Sequence, residues 1–162
     1  MTATKAELAR IMEVMAAAFA PEFGEAWNER QVESALLIPG TRFALIDAAG
    51  VIGPPSSRLP TAGFYLVRQT VDEEELMLIG VVPEYRRHGL ASRLLQHLIA
   101  AASERGSLRL FLEMRADNPA SHFYDAFGFE RIGTRKQYYR GADGIMRDAN
   151  TMALDLPDIK YA

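Results

Sequence analysis

The sequence predicts an α/β (α+β) protein with one mixed central β-sheet, helices on both faces and a single domain spanning residues 1–162. Three observations carry that prediction. Apolar residues recur at helical spacing in some stretches and at strand density in others, in the order α-α-β-β-β-α-β-α-β-β. The buried-looking run Leu76-Met77-Leu78-Ile79-Gly80-Val81-Val82 breaks at Pro83, then passes through a basic turn into a strongly amphipathic helix. Leu108 to Met114 is almost continuously apolar, the pattern of a strand buried on both faces in a parallel pairing.

Leu8, Ile11, Met12, Met15 and Phe19 place the first helix over residues 4–19, closed by Pro21 and Gly24. Asn28 as N-cap, with Gln31 three residues later, opens a second helix that stops at Pro39-Gly40. Residues 42–47 read as a strand. Residues 48–60 (AAGVIGPPSSRLP) form a long Gly/Pro/Ser loop, the weakest-ordered stretch by composition. Residues 62–70 and 74–82 read as an antiparallel pair joined through Val71-Asp72-Glu73. The helix after the basic turn carries Leu90, Leu94, Leu95, Leu98, Ile99 and Ala102 on one side and ends near Gly106. Asn118-Pro119 is placed to open a short helix that Gly128 closes. Residues 129–139 and 150–156 complete the sheet.

Composition is ordinary for a globular chain, with a net charge of −3. The slight acidity argues against non-specific nucleic-acid binding. The absence of cysteine excludes disulfides, thiolate metal sites and thiol nucleophiles. His88, His97 and His122 lack metal-ligand spacing, so no metal is expected. No apolar run is long enough for a membrane span, and Lys5, Glu7 and Arg10 interrupt any signal-peptide core; the expected location is cytoplasmic.

The strand, basic turn and helix start at residues 76–91 are how backbone alone builds a pyrophosphate site. Free N–H groups of a first helical turn face the anion, and the helix dipole adds favourable partial charge. Gly89 and Ala91 leave room for a ligand against the main chain. A small anionic cofactor is the expectation.

Val81, Val82 and Arg86-Arg87-His88-Gly89-Leu90-Ala91 resemble the acetyl-CoA signature of the GCN5-related N-acetyltransferases (GNAT), Gln/Arg-x-x-Gly-x-Gly/Ala. Phe123-Tyr124, five residues before Gly128-Phe129, is similar to the family's second hallmark. Leu112-Glu113-Met114-Arg115-Ala116, Arg135-Lys136-Gln137-Tyr138-Tyr139 and Asp148-Ala149-Asn150-Thr151-Met152-Ala153-Leu154 resemble the RimI-type ribosomal-protein N-alpha-acetyltransferases within that family. The resemblance covers residues 62–156. It implies a GNAT-type sheet and acetyl-CoA as cosubstrate. The acceptor would be a protein N-terminus or a small amine, with neither a nucleic-acid nor a membrane partner. Whether the chain is a monomer or a homodimer stays open.

Site residues follow from that resemblance. Glu113, at the carboxyl end of its strand, matches the base that takes the amine proton; an ion pair with Arg115 or Arg109 is the alternative. Glu75, where histone-type members keep their base, is the rival, or lies beside the acceptor. Tyr124 matches the acid that protonates the thiolate. Ile79, Gly80, Val81, Val82, Arg86, Arg87, His88, Gly89, Leu90, Ala91 and Ser92 would hold the cofactor, with a backbone N–H near Val82 polarising the thioester. Asn118 stands six residues before the tyrosine where the family has seven. It either contacts CoA or only caps a helix. Tyr138 and Tyr139 would line the acceptor's entrance. Acetylation of lysine side chains, polyamines or aminoglycosides, and a CoA-binding sensor or partner subunit with little turnover, are the competing readings.

Overall fold

The computed structural model describes residues 3–157. Helix α1 (Lys5–Ala18) is opened by Thr4, whose hydroxyl accepts from the Glu7 N–H while the Glu7 carboxylate accepts from the Thr4 N–H. Helix α2 (Glu29–Leu36) uses the same reciprocal cap between Asn28 and Gln31. Strands β1 (Thr41–Asp47), β2 (Thr61–Thr70) and β3 (Glu73–Val81) follow as an antiparallel meander. A two-residue turn with Val71 at φ 44° joins β2 to β3. Then come α3 (Leu90–Glu104), β4 (Arg109–Arg115), α4 (Ser121–Ala126), β5 (Glu130–Arg140) and β6 (Met146–Asp155). The sheet order is β1-β2-β3-β4-β6-β5. Single 3₁₀ turns at Pro21–Phe23 and Pro83–Tyr85 are the additions to the expected element order.

Two apolar layers sandwich the sheet. On one face α3 buries Leu90, Leu94, Leu95, Leu98 and Ala102 against Val67, Leu76, Leu110 and Leu112. Each fully buried leucine there contributes about 1.5–3 kcal/mol. On the other face α1 and α2 set Ile11, Val14, Met15, Val32 and Leu36 over Leu45, Phe64, Leu66 and Leu78. A bulge between Leu66 and Val67 lets Leu76 and Leu78 serve opposite layers.

Strand β4 departs from expectation. It pairs in parallel with β3 only at Glu73–Arg109, Glu74–Leu110 and Glu75–Phe111, and along its whole length it is antiparallel to β6. Burial alternates along it, with Leu110, Leu112 and Met114 inside and Arg109, Phe111 and Glu113 half-buried, so it is not covered equally on both faces. The short helix also begins later than expected: α4 starts at Ser121 with Ala120 at its cap. Asn118 instead closes a local turn, its Oδ1 accepting from the Ala120 N–H at 2.9 Å. Loop 48–60 is tied down through Ala48 N–H to Pro60 O, Arg93 Nη1 to Gly50 O and Arg10 Nη2 to Ser56 O.

Candidate active site

Beyond Glu75–Phe111, β3 and β4 hold no further pairing, and the gap between them opens as a V. A cleft of about 630 Å³ occupies this gap and draws on both layers, from Leu90 and Tyr124 on one side to Glu25 and Trp27 on the other. The closed end of the V is locked by polar groups. Glu74, fully buried, accepts from Arg105 Nε at 3.2 Å, Arg105 Nη2 at 2.6 Å and Ser107 Oγ at 2.6 Å. Leu108 N–H donates to Asp72 O at 2.6 Å beside it.

The basic turn forms one wall. Arg87 (φ 67°) and Gly89 (φ 74°) are both left-handed, which folds the chain sharply before α3. Gly89 caps α3 without a side chain, so the N–H groups of Leu90, Ala91 and Ser92 have no intrahelical acceptor. Nothing lies within 4 Å of where a Gly89 Cβ would stand, and Arg87, Gly89, Leu90, Ala91 and Ser92 all line the cleft. An open space faced by uncapped amides and a positive dipole end fits a diphosphate. His88 is exposed beside it.

Two of the expected anchors carry structural bonds of their own. The Arg86 guanidinium bonds backbone, Nε to Val81 O at 3.0 Å and Nη2 to Ala18 O at 2.8 Å, so it clamps the end of β3 to α1 while the residue lines the cleft. The Val82 N–H donates to Ala62 O at 2.8 Å and is unavailable to polarise a ligand; Val82 packs in the α1/α2 layer instead. Antiparallel alternation then turns the N–H groups of Val81 and Ile79 away from β2, toward the unpaired side. With Gly80, these two residues line the cleft.

Across the gap stand the candidate catalytic groups. Glu113 lines the cleft and pairs with Arg135 Nε of β5 at 3.3 Å. Neither alternative partner is available to it: Arg109 bonds Asp155, and Arg115 bonds Glu25 and Asp117, each at 2.8 Å. Tyr124 is 6% exposed and borders the cleft, with the Phe123 ring tilted and the Phe129 ring edge-on against it. Burial, then the Glu25 carboxylate, pushes its phenol above the usual range, so it stays protonated at neutral pH. Asn118 also borders the cleft, though as a turn residue. The tyrosine pair divides: Tyr139 lines the cleft, its phenol pushed up to about 12 by burial and by Glu113, while Tyr138 is exposed and lies over Arg135.

Glu75 sits at the last β3–β4 pair and does not line the cleft. Burial, then the neighbouring Glu113 charge, raises its pKa above the ordinary carboxylate value, against the opposing pull of Arg68. A carboxylate whose folded pKa is raised costs stability when ionised. That stability is fully present below the ordinary value and is lost as pH rises through the folded one. Glu75→Gln is therefore expected to raise Tm at pH 7 by about 1–3 °C after solvent screening, with the gain vanishing below about pH 4. Thermal melts of both proteins across that window check the sign; an unchanged or lowered Tm at pH 7 contradicts it.

Sequence reasoning missed the segment between α1 and α2. Gly24, Glu25 and Trp27 line the cleft beside Gln31 of α2, and Phe23 is covered by Arg115 (3.5 Å to the ring centroid) and Arg147 (5.0 Å). Buried Arg115 is the post that holds this segment over the gap, through Glu25 and the Phe23 ring. An arginine at the end of an otherwise apolar strand was the available signal; its partner 90 residues earlier was not. Among the described residues, no group of three His, Asp or Glu side chains is placed to hold a metal ion.

Comparison with known proteins places the chain among acetyltransferases. The Acetyltransferase (GNAT) family matches the chain over residues 12–129. The [ribosomal protein bS18]-alanine N-acetyltransferase of Escherichia coli (strain K12) is 41% identical over 96 residues, 59% of this chain and 64% of that protein. N-alpha-acetyltransferase RimI of Mycobacterium tuberculosis is 41% identical over 87 residues, 53% of this chain and 51% of the relative. Each match thus spans less than two thirds of the relative's length. The crystal structure of the E. coli ribosomal-protein-S18-alanine N-acetyltransferase superposes over 96% of this chain and 92% of that one, with a TM-score of 0.79 and 29% identity.

Proposed function

The chain belongs to the acetyltransferase (GNAT) family, and from that membership we propose that it moves an acetyl group from acetyl-CoA to the α-amine of a protein N-terminus by direct attack in a ternary complex. The observation that carries the proposal is the β3–β4 gap, with uncapped amides on one wall and Glu113, Tyr124 and Tyr139 lining the rest. Acetyl-CoA supplies the activated acetyl group. The N–H groups of Leu90, Ala91 and Ser92 hold its diphosphate, with Arg87 and His88 at the margin. The Val81 and Ile79 N–H groups, beside Val82 on the unpaired strand edge, polarise the acetyl carbonyl. Glu113 accepts the proton of the attacking amine, directly or through water. Tyr124, kept protonated by its burial, donates one to the departing thiolate. Tyr139 and Glu25 border the amine's approach.

An α-amine suits this site because its pKa is about 8 against about 10.4 for lysine, so more of it is free to attack at neutral pH. The same choice is supported by the names of the E. coli relative, a [ribosomal protein bS18]-alanine N-acetyltransferase, and of the M. tuberculosis relative, an N-alpha-acetyltransferase. We read residues 1–162 as one catalytic unit, since both apolar layers share a single sheet. Among the described residues no helix is long and apolar enough to cross a membrane. A cytoplasmic site of action goes with ribosomal-protein relatives.

An amine panel assayed by intact mass with acetyl-CoA tests the proposal. The panel holds free N-terminal peptides, an N-blocked lysine peptide, a polyamine and an aminoglycoside. Acetylated product is expected on the free N-terminal peptides. Product on lysine or small amines alone overturns the acceptor, and tight CoA binding with no product from any amine overturns the enzyme in favour of a sensor.

A further inference from the structure

A second groove, of about 410 Å³, adjoins the cleft. Trp27 and Gln31 line both, so a chain seated with its first residue near Glu113 has a direct way out along α2. Trp27, Ala35 and Ile38 give the groove apolar walls. Its charged groups are Arg30 from α2 and Arg68 from β2, both cationic. Helical spacing explains the one-sidedness. Within α2, Arg30, Gln31, Ser34 and Ala35 share the face that lines the groove, whereas Glu29 and Glu33 lie on the opposite face and do not line it. Among the described residues, neither Arg30 nor Arg68 is in an ion pair: Arg68 Nε reaches Thr41 Oγ1 at 3.5 Å, and Arg30 is exposed. Glu75, directly across the strand pair from Arg68, is the carboxylate whose field Arg68 feels.

We propose that this groove is a specificity subsite: it receives the residues that follow the acceptor's terminal amine and favours acidic side chains among them. The inference rests on the α-amine reading above. Apolar walls take the aliphatic parts of the peptide, and the two guanidinium groups take a carboxylate. Because Arg30 is solvent-exposed, the selectivity is modest and salt-sensitive.

Trp27 is the chain's single tryptophan, so its fluorescence reports occupancy without any need for turnover. Three hexapeptides with a free terminal alanine, carrying Glu, Gln or Lys at the second to fourth positions, are titrated into the full-length protein with CoA present. The Glu peptide is expected to bind about fivefold more tightly than the Gln peptide, with Lys weakest and the differences shrinking in high salt. Arg30→Glu is expected to narrow or reverse the order. Equal binding of all three, or tightest binding of the Lys peptide, overturns the subsite. The same peptides assayed for kcat/KM separate the two claims. Glu-selective binding with no acetylation keeps the groove and overturns the α-amine reading. Equal kcat/KM for all three keeps the enzyme and overturns the groove.

Discussion

Replacing Glu113 with glutamine is expected to lower kcat for acetyl transfer by about a thousandfold, the usual worth of a positioned general base, while the KM for acetyl-CoA stays near that of the parent. Glutamine keeps the volume and most of the hydrogen bonding but cannot accept the amine proton. The fold has little to lose, because Arg135, the partner left behind, is 59% exposed and water replaces the carboxylate. Circular dichroism and Tm should therefore match the parent, which separates lost chemistry from lost structure. Arg135→Ala gives the complementary control, since it frees the carboxylate and changes kcat far less. A kcat for Glu113→Gln within tenfold of the parent would move the base elsewhere. Glu75, electrostatically coupled to Glu113, is the next group to replace.

Arg105→Leu is expected to cost about 3–5 kcal/mol, because it strands a charge that water cannot reach, and Tm should fall by roughly 10 °C. Glu74 has no exposed surface and takes two of its three hydrogen bonds from that guanidinium. Ser107 alone cannot compensate a buried carboxylate. The consequence reaches the site, since Glu74, Arg105 and Ser107 bind the start of β3 to the end of α3 and the approach to β4. These groups close the V at the point where the two strands still pair. Loosening them widens the cleft and misplaces Glu113 relative to the amide wall. Removing both charges, Glu74→Leu with Arg105→Leu, should recover most of the loss, because an apolar pair of similar volume needs no compensation. Thermal unfolding of the four proteins in the cycle measures this. A loss under about 1 kcal/mol for Arg105→Leu would mean that the pair is effectively solvated.

The succession of helices and strands could be read from local periodicity, and the Asn28–Gln31 cap from its residue spacing. Thr4 and Glu7 carry the same capping signature, so the start of α1 is equally legible in the sequence. The β4 error has a readable cause. Arg109, Phe111 and Glu113 alternate with Leu110, Leu112 and Met114, and the bulky Phe111 among the outer residues masks that alternation as a continuous run. The turn at 86–91 is local sequence and could be recognised. Which amides its preceding strand leaves free is not, because that depends on a register in which Val82 pairs with Ala62. The same limit hid the segment between α1 and α2. Nothing near Glu25 in the sequence announces Arg115, and only the tertiary fold brings the two within 2.8 Å.

In the proposed reaction this cleft acetylates an α-amine. Fragment mass spectrometry of one peptide carrying both a free terminal alanine and an internal lysine, after incubation with acetyl-CoA and the protein, tests it most directly. The predicted product bears a single acetyl group on the terminal nitrogen, and the same peptide blocked at its terminus stays unmodified. Acetyl on the lysine nitrogen with the terminus left free would contradict it.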